Sequence, residues 1–263
     1  MARIRRKGLT LIELIVVLVI LVALAGILVV TLPGMLGRAH TATGATNTGE
    51  VSKFVQVYEQ LYQSQPTDFD ALGDTTAALA DYLPGTNLGG QLTARTLVAA
   101  EANALTGVGV RRLAPMYATR AALTTAGGTP TFNPYSGVSL PVANGVVVAQ
   151  VSEAAVEGSS GVVADDPTLT GDVYVLFGFG KRCSMVGKVT QEPPVHFGES
   201  AETNAANAYG RVGVIYRIAR GNGTATPTPL DKAVFVGAVN LHDDGIASGG
   251  AHMEEYYNLT KSQ

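Results

Sequence analysis

Three sets of residues in this sequence have types and spacings that could do chemistry. The first is a single carboxylate. Between Leu9 and Leu32 the only charge is Glu13, and from Leu14 to Val30 every residue is apolar or Gly. A carboxylate at membrane depth costs about 2.5–3.5 kcal/mol on insertion scales, so one that is kept there has a partner and a job. The second set is the four histidines, His40, His196, His242 and His252. His242-Asp243-Asp244-Gly245 and His252-Met-Glu254-Glu255 place imidazole and carboxylate close together, a donor pair that suits zinc or manganese. The third set is Gly178-Phe-Gly180-Lys-Arg, which is Gly-rich and follows a strand pattern. It lacks the third Gly and the following helix of a phosphate-binding loop, so it reads as a strand-end turn.

Other chemistry is missing from the sequence. There is no G-x-S-x-G, H-E-x-x-H or Walker A pattern. The single cysteine, Cys183, excludes an internal disulfide framework and any multi-cysteine zinc site, and it reads as a small buried hydrophobe. Arg211, Arg217 and Arg220 form a basic group that reads as solvated or ion-paired.

The elements that must carry these residues begin with an apolar helix. As a helix, the 24 residues from Leu9 to Leu32 would span about 36 Å, against a hydrocarbon core of about 30 Å. Ahead of it Arg3, Arg5, Arg6 and Lys7 bring four positive charges and no acid, which predicts a cytoplasmic N-terminus and an exported C-terminal bulk. A secretory signal peptide is one reading, with Ala23-Leu24-Ala25 as a cleavage site, although the apolar run continues to Val30. A plain signal anchor is another. Neither gives Glu13 a purpose.

Charge and hydropathy follow the same division. Charged residues make up 15% of the 263-residue chain, well below the roughly 25% of ordinary soluble domains, and mean hydropathy is +0.22. The net charge of −3 becomes −7 once the four leader cations are set aside, which disfavours direct nucleic-acid binding. The apolar excess therefore belongs largely to the N-terminal helix.

Pro33-Gly34 predicts a kink or end to that helix, and Gly37, Gly44 and Gly49 with four threonines make 36–49 poor helix material. A second, amphipathic helix is expected over Glu50–Tyr62, with Val51, Phe54, Val55, Tyr58, Leu61 and Tyr62 on one stripe. Asp74 predicts the cap of a short helix ending at Leu83, and 91–105 reads as helical. Residues 107–145 read as loops with short elements. Strands are expected at 146–151, 173–177, 212–218 and 234–241, the third half-buried with Val212, Val214, Tyr216 and Ile218 on one face. The fold class is α+β: a long N-terminal helix, with a transmembrane half and an amphipathic half, packed on an antiparallel β-sheet head.

Lys7-Gly8-Leu9-Thr10-Leu11-Ile12-Glu13-Leu14 resembles the leader junction of type IV prepilins and type II secretion pseudopilins: a short basic leader ending in Gly, an apolar residue, Thr, Leu, a further apolar residue, then Glu and a long apolar helix. The departure is Leu9, where Phe is commonest. The resemblance covers about the first 72 residues, including an amphipathic half-helix, an aromatic pair and Pro66-Thr67. It implies cleavage by prepilin peptidase between Gly8 and Leu9, N-methylation of Leu9, and pairing of Glu13 with the N-terminal amine of a neighbouring subunit. Gly8 has no side chain to obstruct a protease at its carbonyl.

The implied organisation is a leader (1–8), a transmembrane and assembly helix (9–32, with Leu14, Val22 and Val30 on it), a neck and amphipathic helix (33–65) and an exported head (66–263). The implied product is a structural subunit rather than an enzyme, sited in the inner membrane with its head outside. Its implied partners are the peptidase, other pilin-like subunits, the bilayer, and an assembly platform with its ATPase. Some major pseudopilins bind calcium in a C-terminal Asp-rich loop, and Asp243-Asp244-Gly245 sits at a similar place; a plain polar turn is the alternative there.

Overall fold

In the computed structural model, residues 11–85, 90–160, 171–197, 204–222, 226–242 and 245–261 are described, with side chains left out at 28–34, 159–160 and 259. The leader lies outside these residues.

The first element is a single helix, α1 (Leu11–Tyr62), of 52 residues. The break expected at Pro33-Gly34 does not occur, and the separate amphipathic helix is the C-terminal part of α1. Low helix propensity in the neck is overridden by packing. The threonines bond back to the preceding turn, Thr41 Oγ1 to the Gly37 carbonyl at 3.1 Å and Thr48 Oγ1 to that of Gly44 at 3.1 Å. Thr41 and Thr48 are themselves buried. Farther along, Val51, Val55 and Tyr58 are buried in the core and Phe54 packs beside them, as the stripe predicts, whereas Leu61 and Tyr62 are exposed.

The head is an α+β unit. Its central strands are β6 (Val173–Gly178), β7 (Gly213–Arg220) and β8 (Thr228–Leu241), close to the expected runs and antiparallel to each other. Beyond β8 lies β9 (Ile246–Ser248). The other edge of β6 is shared by β5 (Val147–Val151), which pairs with β2 (Leu92–Thr96), and by β1 (Phe69–Asp70), which leads through β3 (Arg112–Ala114) to β4 (Leu140–Pro141). β1 and β3 are parallel, so the sheet is mixed rather than wholly antiparallel.

Helices α2 (Ala99–Val108), α3 (Arg120–Thr125), α4 (Glu153–Ser160) and α5 (Gly249–Lys261) complete the described elements. The helix expected over 91–105 is a strand followed by α2, because Leu92–Thr96 ladder with β5. Asp74 Oδ1 does accept three backbone N–H groups, from Thr76, Ala77 and Ala78, but they close a turn with no helix after it.

β7 is buried on both faces, not one. Val212, Val214, Tyr216 and Ile218 do share a face, joining α1, α2, Phe69 and Phe177 in one core cluster. Ile215 points the other way, into a second cluster with Leu72, Tyr82, Tyr174, Leu176 and Tyr209. Chain segments from 71 to 83 cover the face that the alternating pattern assigned to solvent.

Asp70 is buried where β1 meets β6, and its Oδ2 accepts the Tyr209 hydroxyl at 2.7 Å. Gly178 and Gly180 make room for this pair. A Cβ on Gly178 would stand 2.0 Å from the Tyr209 hydroxyl, and one on Gly180 2.0 Å from the Asp70 oxygens. The Gly-rich stretch is thus a turn whose backbone closes over a buried carboxylate. Cys183 is buried, as expected, and burial pushes its thiol up well above the ordinary range. Arg211 is buried and donates to the carbonyls of Thr131 and Pro193, while Arg217 pairs with Asp172 at 3.1 Å.

Burial raises the Asp70 carboxyl from 3.8 to about 6, against the lowering effect of the Tyr209 and Tyr135 hydroxyls and of nearby arginines. A carboxyl raised on folding favours the native state while it holds its proton, and that advantage is lost as pH climbs through about 6. The shift corresponds to about 3 kcal/mol by neutral pH. Asp70→Asn, always neutral, is therefore expected to be more stable than wild type above pH 6 and nearly equal to it near pH 4, as read from denaturant unfolding at both pH values.

Candidate functional site: the apolar arm and the neck

The N-terminal part of α1 has no apolar face and polar face. From Leu11 to Ile27 its large apolar side chains are between 49% and 78% exposed, Leu14 and Val22 among them. Glu13 is exposed in their midst. A helix apolar all round is stable only when an apolar medium or other helices surround it.

Among the described residues no helix is long and apolar enough to cross a membrane. The described side chains of the apolar run stop at Ile27, about 25 Å of helix from Leu11. The crossing expected over 9–32 thus rests on the sequence. Gly8, Leu9 and the Val30 side chain lie outside the described residues.

Where α1 reaches the head, the neck is pinned on three sides. Asn47 Nδ2 donates to the Val195 carbonyl at 3.1 Å. Asn240 Nδ2, from β8, donates to the carbonyl of Gly44 at 3.0 Å. Thr48 faces Gly249, the first residue of α5: a Cβ there would stand 2.8 Å from the Thr48 hydroxyl oxygen. Gly44 is required by the same close packing, since a Cβ on it would stand 2.7 Å from His252 Nε2 and 2.9 Å from Asn240 Nδ2.

All four histidines of the chain meet at this neck. His40 comes from α1, His196 from the segment before β7, His242 from the end of β8 and His252 from α5. The His40 and His196 ring centroids are 4.3 Å apart, those of His196 and His242 4.9 Å, and those of His242 and His252 5.0 Å. The segment carrying His196 is fixed by its own N–H, which donates to the Gly210 carbonyl at 2.8 Å. Asn240 Nδ2 lies 2.8 Å from His252 Nε2 and donates to it, which places that ring's proton on Nδ1, 3.8 Å from Glu255.

One ligand atom each from His40, His196 and His242 can lie within 4.8 Å of the others. His196 and His252 are almost wholly buried. Burial first, and the neighbouring imidazoles second, lower His196 from 6.5 to about 3 and His252 to about 4. These rings are therefore neutral at physiological pH and keep a lone pair for a donor or a metal ion.

The sequence brought His242 and His252 together but gave no sign that His40 and His196 join them. The candidate calcium residues Asp243 and Asp244 lie outside the described residues.

Residues 3–29 match the prokaryotic N-terminal methylation motif, the signature of type IV pilins and pseudopilins. The motif supports reading the chain as a type IV pilin-like or pseudopilin precursor. No curated protein and no solved structure matches the chain.

Gly44→Val would force α5 and Asn240 away from α1. The expected result is a loss of about 1–3 kcal/mol in thermal or denaturant unfolding, with faster amide exchange across 249–261.

Proposed function

We propose that the chain is a pilin-like or pseudopilin subunit that works by polymerising through α1 into a type IV pilus or a type II secretion pseudopilus. Prepilin peptidase cuts between Gly8 and Leu9 on the cytoplasmic side and the new Leu9 amine is methylated. The cut removes the four leader cations and leaves the apolar helix intact, whereas signal peptidase would destroy the anchor. Helix 9–32 holds the precursor in the inner membrane with Leu14, Val22 and Val30 in the apolar phase and the head outside. On assembly the arms of many subunits form the centre of the filament, and the platform and its ATPase supply the work.

The observation that carries this reading is an arm exposed and apolar on every side, interrupted by one carboxylate. Glu13 becomes the fifth residue of the mature chain. In an apolar bundle it needs a counter-charge, and the N-terminal amine of a neighbour provides one. Satisfying both groups fixes the axial register between subunits.

Intact mass of the protein extracted from membranes tests the processing. The expected terminus is methylated Leu9. A terminus at Gly26 would mean ordinary secretion, and an intact Met1 a simple anchor; either overturns the proposal. Gly8→Leu should leave the longer, uncleaved chain.

Glu13→Ala tests the register. It is expected to insert and be cleaved normally, but to leave a buried amine unpaired at a cost of about 3–5 kcal/mol per subunit. Fibre yield by electron microscopy should collapse. Normal fibres from this variant would sink the role given to Glu13.

A further inference from the structure

The histidine cluster is not used by the assembly reading, and it has the features of a built site. Its members come from four separate places in the chain, so no local sequence feature brings them together. Nε2 of His40 and Nε2 of His196 are both buried and have no hydrogen-bond partner among the described residues. A buried imidazole nitrogen left unpaired is costly, and two of them on rings whose centroids stand 4.3 Å apart are better explained by a shared partner than by packing.

We propose that His40, His196 and His242 bind one divalent transition-metal ion, zinc in the first instance, which cross-links the neck of α1 to the sheet of the head.

The donor set argues for this class of ion. Three imidazoles without a carboxylate or thiolate suit zinc, copper(II) or nickel and are poor ligands for calcium and magnesium, which take oxygen. Imidazole nitrogens bound to one zinc at about 2.0–2.1 Å in tetrahedral geometry stand about 3.4 Å apart. The ligand atoms lie within 4.8 Å of one another, so binding an ion requires the side chains to rotate and close that spacing. Three protein ligands leave a fourth position on a tetrahedral ion for water or for another donor.

The consequence is mechanical. The neck is the part of α1 with the weakest helix propensity, and His40 sits one turn before Gly44. An ion shared with His196 and His242 ties that turn to the segment before β7 and to the end of β8. The inference is independent of what the arm assembles into.

The test uses the full chain in detergent, stripped with a chelator and titrated with zinc against a chromophoric competitor. The expected result is one ion per chain, a higher Tm with zinc, and slower amide exchange across residues 36–49. Cobalt(II) should give the intense visible bands of a tetrahedral site. His196→Gln and His242→Gln should each weaken zinc binding by at least about tenfold, since loss even of an outer-shell partner costs that much, while unfolding in the metal-free state stays cooperative.

Because stoichiometry, the cobalt spectrum and exchange are read on the wild-type chain, a variant that fails to fold does not protect the proposal. Absence of stoichiometric zinc binding would overturn it, as would binding that survives both substitutions. Stabilisation by calcium and not by zinc would also overturn it and would point instead to the 243–244 loop.

Discussion

The hydrogen bond from the Asn240 amide to the Gly44 carbonyl joins the sheet to a helix at a point where the helix has little intrinsic reason to exist. Residues 36–49 are rich in Gly and Thr, and Pro33-Gly34 precede them. Glycine costs about 1 kcal/mol relative to alanine in a helix interior. What holds the neck is proximity: without a side chain at 44, His252 and Asn240 can approach the α1 backbone, and the buried threonines cap their own preceding carbonyls. The residues that weaken the helix in isolation are the ones that let the head grip it.

That grip determines how α1 projects from the head. A helix of 52 residues is about 78 Å long, and only its C-terminal portion lies on the sheet. If the neck were loose, the apolar arm would swing, and holding it in one direction would carry an entropy cost. A continuous helix, pinned by Asn47, Gly44 and Thr48, presents the arm in a fixed relation to the head. The two-sided sheet serves the same end. β6 and β7 are covered on both faces, so the platform under α1 is a packed interior, not a surface ribbon.

Much of this was legible in the sequence because the signals were local and repeated. The apolar run and basic leader declare the arm, the β-branched runs declare β5 to β8, and the stripe from Val51 to Tyr58 declares the buried side of α1. The errors arose where tertiary contacts overrule local preference. The neck stays helical because of α5 and β8, neither of which a reading of residues 33–49 could supply. Leu92–Thr96 is a strand because β5 offers it a ladder, although its surroundings are rich in Ala and Leu. Asp74 caps a turn, which is all that a capping side chain guarantees. The pairing of Gly178 and Gly180 with Asp70 and Tyr209 is a contact between distant segments, so the glycines showed in the sequence and their reason did not.

The histidines carry this argument furthest. No periodicity links positions 40, 196, 242 and 252, because each belongs to a different element and the fold alone brings them together. This buried polar cluster coincides with the junction that the helix needs most. The described side chains of the arm, Leu11 to Ile27, are apolar apart from Glu13. At the neck the buried Thr41 and Thr48 of α1 meet the buried Asn240, His196 and His252 of the head, whose hydrogen bonds and lone pairs are directional. Directional contacts fix an angle, which apolar burial alone does not. Specific geometry between arm and head is therefore concentrated in the stretch where helix propensity is lowest and polar side chains are most deeply enclosed.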